Sequence, residues 1–122
     1  MITTLARLHR PRIAALRSAM SASRLDAFIT TSGPSLRYLC GYAGSNGMLL
    51  VTGKKVVLLT DFRYKEIVRT TVAADRTVIS QGSLTRAADD AKLFAGLKRI
   101  GFEKDRTTVA EYQIRADVIG KK

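Results

Sequence analysis

Two uninterrupted apolar runs, Met48 to Val51 and Val56 to Leu59, stand on either side of Thr52-Gly53-Lys54-Lys55. Apolar runs joined by a short Gly-containing turn form a β-hairpin. Neither run alternates apolar with polar residues, as a strand with one wet face does. Both strands of the hairpin therefore need cover on both faces, which places them inside a layered sheet.

The remaining sequence offers the cover and further strands. "LDAFITTS" is a β-rich run from Leu25 to Thr31, closed by Gly33-Pro34, while "RTVIS" and "KRIGFEKD" read as two more strands. Ile13, Leu16 and Met20 fall at helical spacing after Pro11, which is expected to break the segment from Thr3 to Ser23 by removing a backbone hydrogen bond. "SLRYLCGY" fits one or two helical turns ending at Gly41. Tyr64, Ile67, Val68 and Thr71 share one face of a helix predicted from Arg63 to Val72. Leu84, Ala88, Ala91 and Ala95 line another that closes near Gly96, and "TVAEYQIRADVI" forms a last one, with Thr107 or Thr108 able to cap it. Strands alternating with helices, apart from the one hairpin, define an α/β layer fold with a mixed sheet.

At 122 residues the chain is one domain's worth, and its 46% hydrophobic content is enough for a core. Its 21 Lys+Arg against 10 Asp+Glu give a formal +11. The charge is dispersed, with no run longer than Lys54-Lys55 and Lys121-Lys122, as on a solvated surface or one offset by an acidic region outside this sequence. A basic nucleic-acid-binding domain is an alternative reading. However, aromatics make up only 7% and lie among apolar runs, which is poor material for stacking bases, so no specific nucleic-acid partner is expected. Cys40 is the only cysteine, too few for a disulfide framework, and reads as a small buried thiol. No run approaches the ~18 apolar residues of a membrane span, and "MITTLARLHRPRI" lacks the apolar core of a signal peptide. A cytoplasmic protein with no membrane partner is expected. "DVIGKK" stops just after a helix, as in a chain cut from a longer one.

Self-contained catalysis finds little support. His9 is the only histidine and has no carboxylate at ligand spacing, so it reads as a surface residue. Asp89 and Asp90 are adjacent in mid-helix, where neighbours diverge by about 100°. There is no Gly-x-Ser-x-Gly elbow, and "GYAGSNG" precedes a strand rather than the helix that a phosphate cradle needs. Asp26, Asp61 and Glu103 could gather around magnesium at strand ends, as in a nuclease, although nothing in their spacing requires it. In "TDFRY", Asp61 is placed to cap the following helix while Phe62 and Tyr64 pack. Arg63 stands beside a strand end, where α/β proteins bind ligands, and its guanidinium could hold a carboxylate through paired hydrogen bonds.

The ordered set "LDAFITTS", "LRYLCGY", "GSNGMLLVT", "VVLLTDFRY" and "RIGFEKDRTTVAEY" resembles the N-terminal domain of the creatinase/prolidase/aminopeptidase P metallopeptidases. The resemblance runs from about Arg12 to Ile119 and implies a three-layer α/β domain, its mixed β-sheet containing one β-hairpin and bearing helices on both faces. It also implies a separate C-terminal "pita-bread" domain, absent from this chain, whose two Asp, one His and two Glu hold two divalent metal ions, often manganese. Xaa-Pro peptides are the usual substrates. Residues 1–122 would then be non-catalytic, with no catalytic or metal-ligating residue of their own, and partnered by that domain and by a second copy in a homodimer. By analogy, the loop Tyr42 to Gly47, with Ser45 and Asn46, borders the substrate entrance, and Asp61, Arg63 and Tyr64 lie beside it to bind substrate. "AGSNG" lacks the acidic, histidine-bearing run of some dipeptidase members, so the likeness is greater to aminopeptidase P and short bacterial Xaa-Pro peptidases. A peptide- or histone-binding module from a catalytically dead relative would share this domain.

Overall fold

The computed structural model describes the backbone of residues 4–119 and side chains from residue 7 onward; Thr3 and the Lys121-Lys122 pair lie outside the described residues. The predicted hairpin forms from β2 (Gly47–Thr52) and β3 (Val56–Thr60). At its turn the Thr52 N–H donates to the Lys55 carbonyl at 2.9 Å, and the Thr52 hydroxyl accepts from the Lys54 and Lys55 amides. The other strands are β1 (Ala27–Thr30), β4 (Arg76–Ile79) and β5 (Ile100–Phe102), giving one sheet in the order β4-β3-β2-β1-β5. The pairs β1–β2 and β2–β3 are antiparallel, and β3–β4 and β1–β5 are parallel. The sheet is mixed, as expected.

Alternate hairpin residues feed two cores. Leu49, Val51, Val56 and Leu58 pack with Ile13, Met20, Leu36, Leu39, Cys40 and Val68 from α1 (Thr4–Ala22), α2 (Gly33–Cys40) and α3 (Val68–Thr71). Met48, Leu50, Val57 and Leu59 pack with Ala88, Phe94 and Val118 from α4 (Leu84–Asp90), the turns after it, and α5 (Val109–Ile119). Helices thus cover both faces, and the unbroken apolar pattern of the hairpin is accounted for.

Several expectations are corrected. Pro11 does not break α1, which runs through it. The lost backbone bond is offset by anchoring: His9 Nδ1 lies 2.9 Å from the Tyr38 carbonyl, to which Arg12 Nη1 also donates at 2.9 Å. His9 is accordingly buried, not a surface residue. A Cβ on Gly41, whose φ is +86°, would meet His9 Nε2 at 3.1 Å and the Thr71 carbonyl at 2.7 Å, so this helix terminus is packed between two other elements. The helix expected from Arg63 to Val72 is split into a 3-10 turn, Phe62–Tyr64, and the short α3. Asp61 holds the first turn in i→i+3 geometry, and the β-branched residues of "IVRTTV" favour helix weakly. Ile67 is therefore exposed while Val68 is buried. α4 stops at Asp90, so Asp89-Asp90 close the helix instead of sitting in its middle. Lys92, at φ 59°, turns the chain to bury Phe94 and leaves Ala95 exposed.

Leu58→Ala should cost about 2–5 kcal/mol, because Leu58 is fully buried on the middle of β3 and the sheet cannot collapse into the void. Urea unfolding checks this; a loss below 1 kcal/mol would show that the hairpin face is not close-packed.

Candidate functional site

β1, β3, β4 and β5 run in one direction, so their carboxyl ends share one edge of the sheet, where β2 begins at Gly47. Ligands in α/β sheets bind outside that edge, near the strand where the chain order reverses. Here that strand is β1: the chain moves from it to β2, β3 and β4 on one side, then returns to β5 on the other.

All six residues singled out in the sequence meet at this edge. Tyr42 lies buried beneath the loop it starts, its hydroxyl donating to the Asn46 carbonyl at 2.8 Å and lying 2.8 Å from Thr60 Oγ1. Thr60 Oγ1 donates to the same carbonyl at 2.7 Å. The loop backbone folds so closely over Tyr42 that a Cβ on Gly44 or Gly47 would fall 2.3 Å from the Tyr42 hydroxyl or 2.5 Å from its Cε2. Burial pushes the Tyr42 hydroxyl pKa up, only partly opposed by the hydrogen bonds with Thr60 and Asn46. Above it, Tyr64 meets the Tyr42 ring edge-on at 5.6 Å between centroids. The Tyr64 oxygen accepts from the Ser45 amide at 3.0 Å and pairs with Ser45 Oγ at 2.6 Å, which lowers its pKa.

Asp61 is buried and caps the 3-10 turn by accepting the Arg63 amide. Its two oxygens also take Arg63 Nε at 3.0 Å and Nη2 at 2.8 Å, and Asn46 Nδ2 donates to Oδ2 at 2.8 Å. These bonds, those from Arg63 foremost, hold the carboxyl well below the ordinary carboxylate range and raise Arg63 in turn. The Arg63 side chain is nevertheless 64% exposed and lies over the Tyr64 ring at 5.1 Å. Asp61 grips one edge of the guanidinium and leaves the other open to solvent. Ser45 and Arg63 form the exposed surface of the cluster, while Tyr42, Asn46 and Asp61 lock it from below.

Sequence reasoning missed three contributors. Thr60, fully buried, completes the oxygen triangle under the loop. Glu111 and Arg115 stand nearby on α5, and the spacing Thr108-x-x-Glu111 was a legible capping signal: the Thr108 amide donates to Glu111 Oε1 at 2.9 Å, and the Glu111 amide to Thr108 Oγ1 at 3.0 Å. Arg115, buried in the middle of a helix, had no signal beyond its i+4 spacing from Glu111.

Nuclease-like convergence does not occur. Asp26, at the opposite edge, accepts the Lys98 and Arg99 amides, with Arg99 contributing most to its lowered pKa. Glu103 bonds to Thr30 and Ser35, three strand spacings (roughly 14 Å) from Asp61. Among the described residues no three His, Cys, Asp or Glu side chains come together to hold a metal ion, so the side chains present do not fit one. Burial pushes the Cys40 thiol up to about 11, as expected of an inert packed cysteine. Among the described residues no helix is long and apolar enough to cross a membrane.

Residues 12–122 match the family described as Creatinase/Prolidase N-terminal domain, and the chain belongs to that family. It is 33% identical over 104 residues to the uncharacterized peptidase YqhT of Bacillus subtilis (strain 168), covering 85% of this chain and 30% of that protein. The chain therefore spans about a third of that relative's length. Among solved structures, the N-terminal domain of the cytoplasmic peptidase PepQ from Mycobacterium tuberculosis H37Rv is 32% identical with a TM-score of 0.82, covering 92% of this chain and 87% of that one. An Xaa-Pro dipeptidase from Bacillus anthracis is 28% identical with a TM-score of 0.81, over 91% of this chain and 31% of that one.

Gly47→Ala should lower stability by about 1–3 kcal/mol, because Cβ and the Tyr42 ring compete for one space; equal urea midpoints for variant and parent would contradict the packing described. Asp61, with its pKa depressed on folding, contributes stability that is present above the ordinary value of about 4 and lost as pH falls below it. The parent's urea midpoint should thus fall below about pH 5, and Asp61→Asn should flatten that fall. Parallel curves would assign the acid sensitivity elsewhere.

Proposed function

We propose that this chain is the non-catalytic N-terminal domain of a cytoplasmic Xaa-Pro metallopeptidase, a dipeptidase or an aminopeptidase P. In this reading it shapes the substrate entrance of a catalytic domain encoded after Lys122 and takes part in homodimer contacts. The observation that carries the reading is the loop Tyr42 to Gly47 pinned to Asp61, Arg63 and Tyr64 at the ligand-binding edge of a domain of this family. Such a loop keeps its shape without a ligand, so a substrate pays little ordering cost on meeting it. Arg63 offers a fixed, half-engaged guanidinium for a peptide's terminal carboxylate, and Ser45 a hydroxyl beside it. The two divalent metal ions, manganese by resemblance, belong to the second domain, and no step of the chemistry is assigned to the residues described here.

The coding sequence downstream of Lys122 provides the direct test, with two Asp, one His and two Glu expected in family order. A stop codon there would sink the peptidase reading, and a second domain with those ligands replaced would assign a binding module instead. In the full-length enzyme, Arg63→Ala should raise KM for an Xaa-Pro substrate about tenfold with a smaller change in kcat, since the residue contacts substrate remote from the metals. A loss confined to kcat would place Arg63 elsewhere in the mechanism.

A further inference from the structure

A second feature of the same sheet edge is not absorbed by the loop cluster. A crevice of about 390 Å³ opens between the end of β1, the loop before β2, the start of α4 and one face of α5. Its wall carries the hydroxyls of Thr31, Ser45, Ser83 and Thr85, of which Thr31 donates to Glu111 and Thr85 only weakly to Met48 Sδ at 3.9 Å, with Glu111 and Arg115 on the α5 side. This is the position, beside the switch strand and outside the carboxyl ends, where α/β sheets hold ligands.

Arg115 is the unusual member. It is more than nine-tenths buried, yet its Nη1 finds no hydrogen-bond acceptor among the described residues. Its Nη2 donates to Thr31 Oγ1 at 3.3 Å and lies 3.6 Å from Glu111 Oε2, both residues of the same crevice. Glu111 offsets its charge from 3.6 Å without a hydrogen bond to it, its oxygens accepting from the Thr108 amide (Oε1) and the Thr31 hydroxyl (Oε2). A buried guanidinium N–H without an acceptor is costly, and the deficit is relieved by a water or by an anion. Arg115 and Glu111 together carry no net charge, so Glu111 repels a dianion more strongly than a single negative charge, and a carboxylate supplies the one acceptor oxygen that Nη1 lacks.

We propose that this crevice is a carboxylate-binding site in which Arg115 Nη1 takes one oxygen and the hydroxyls of Ser83 and Thr85 take the other. It borders the Arg63 cluster along Ser45 but uses neither Arg63 nor Asp61, and it does not depend on the peptidase reading, since every residue it uses belongs to this chain. Nη1 is occluded in the conformation described, so binding is expected to turn the guanidinium toward the crevice. The carboxylate can come from a free small acid or from the terminus of a peptide.

The test is a titration of the 122-residue chain, followed by amide and Arg Nε–Hε resonances, with acetate, N-acetyl-glycyl-glycine, its C-terminal amide and inorganic phosphate. Shifts at Ser83, Thr85 and the Arg115 Nε–Hε are expected for the acids and not for the amide. A response to the dipeptide acid alone identifies a peptide terminus, and an equal response to acetate a free acid. Arg115→Met should abolish it. Glu111→Gln keeps the cap of α5 while removing the competing charge, and should tighten binding by about three- to tenfold. If Arg115→Met does not fold, Glu111→Gln decides alone, and unchanged or weaker affinity overturns the proposal. Equal responses to acid and amide, stronger binding of phosphate than of the acids, or no response to any probe overturn it as well, leaving Nη1 to a buried water.

Discussion

The domain depends on two adjacent strands that are covered on both faces. β2 and β3 are buried along nearly their whole length, and each alternate side chain commits to a different core. A register slip by one residue would exchange the two sets and leave neither helix layer fitting its face. The hairpin turn closed by Thr52 fixes the register locally, so the three-layer arrangement follows from a feature only a few residues long.

The candidate site inherits its rigidity from the same strands. Thr60 ends β3 and Gly47 begins β2, paired directly across the ladder, so the loop and the Asp61–Tyr64 turn leave the sheet side by side. Tyr42 then fills the space between them, and the glycines at 44 and 47 let the backbone lie against its ring. The polar groups on top are spent chiefly on one another, which leaves a preformed surface with one exposed guanidinium edge instead of a mobile loop.

Much of this was legible in the sequence because it rests on local signals. Unbroken apolar runs, Gly41 after a helical turn, and Asp61 before one each reflect the chemistry of a few neighbours. Some failures have local causes, as at the turns after Asp61 and Asp90, but others depended on a distant partner. Pro11 is tolerated because of the Tyr38 carbonyl, and His9 is buried against that same atom. Arg115 is buried beside Thr31, which lies far from it in sequence. Nothing local marks such residues.

The position of β5 carries a kinetic meaning. β2, β3 and β4 assemble from contacts close in sequence, whereas β5 must find β1 across most of the chain, pairing Ala27 with Ile100. Loop closure makes that docking late. Before it, β1 shows an open edge of unpaired backbone groups, the kind of template on which chains pair with one another. Thr30 and Thr31 at its end are later gripped by Glu103 and Glu111, both from the last quarter of the sequence. The final segment therefore acts as a latch, and a chain interrupted during synthesis before Ile100 would expose an adhesive strand that the finished domain conceals.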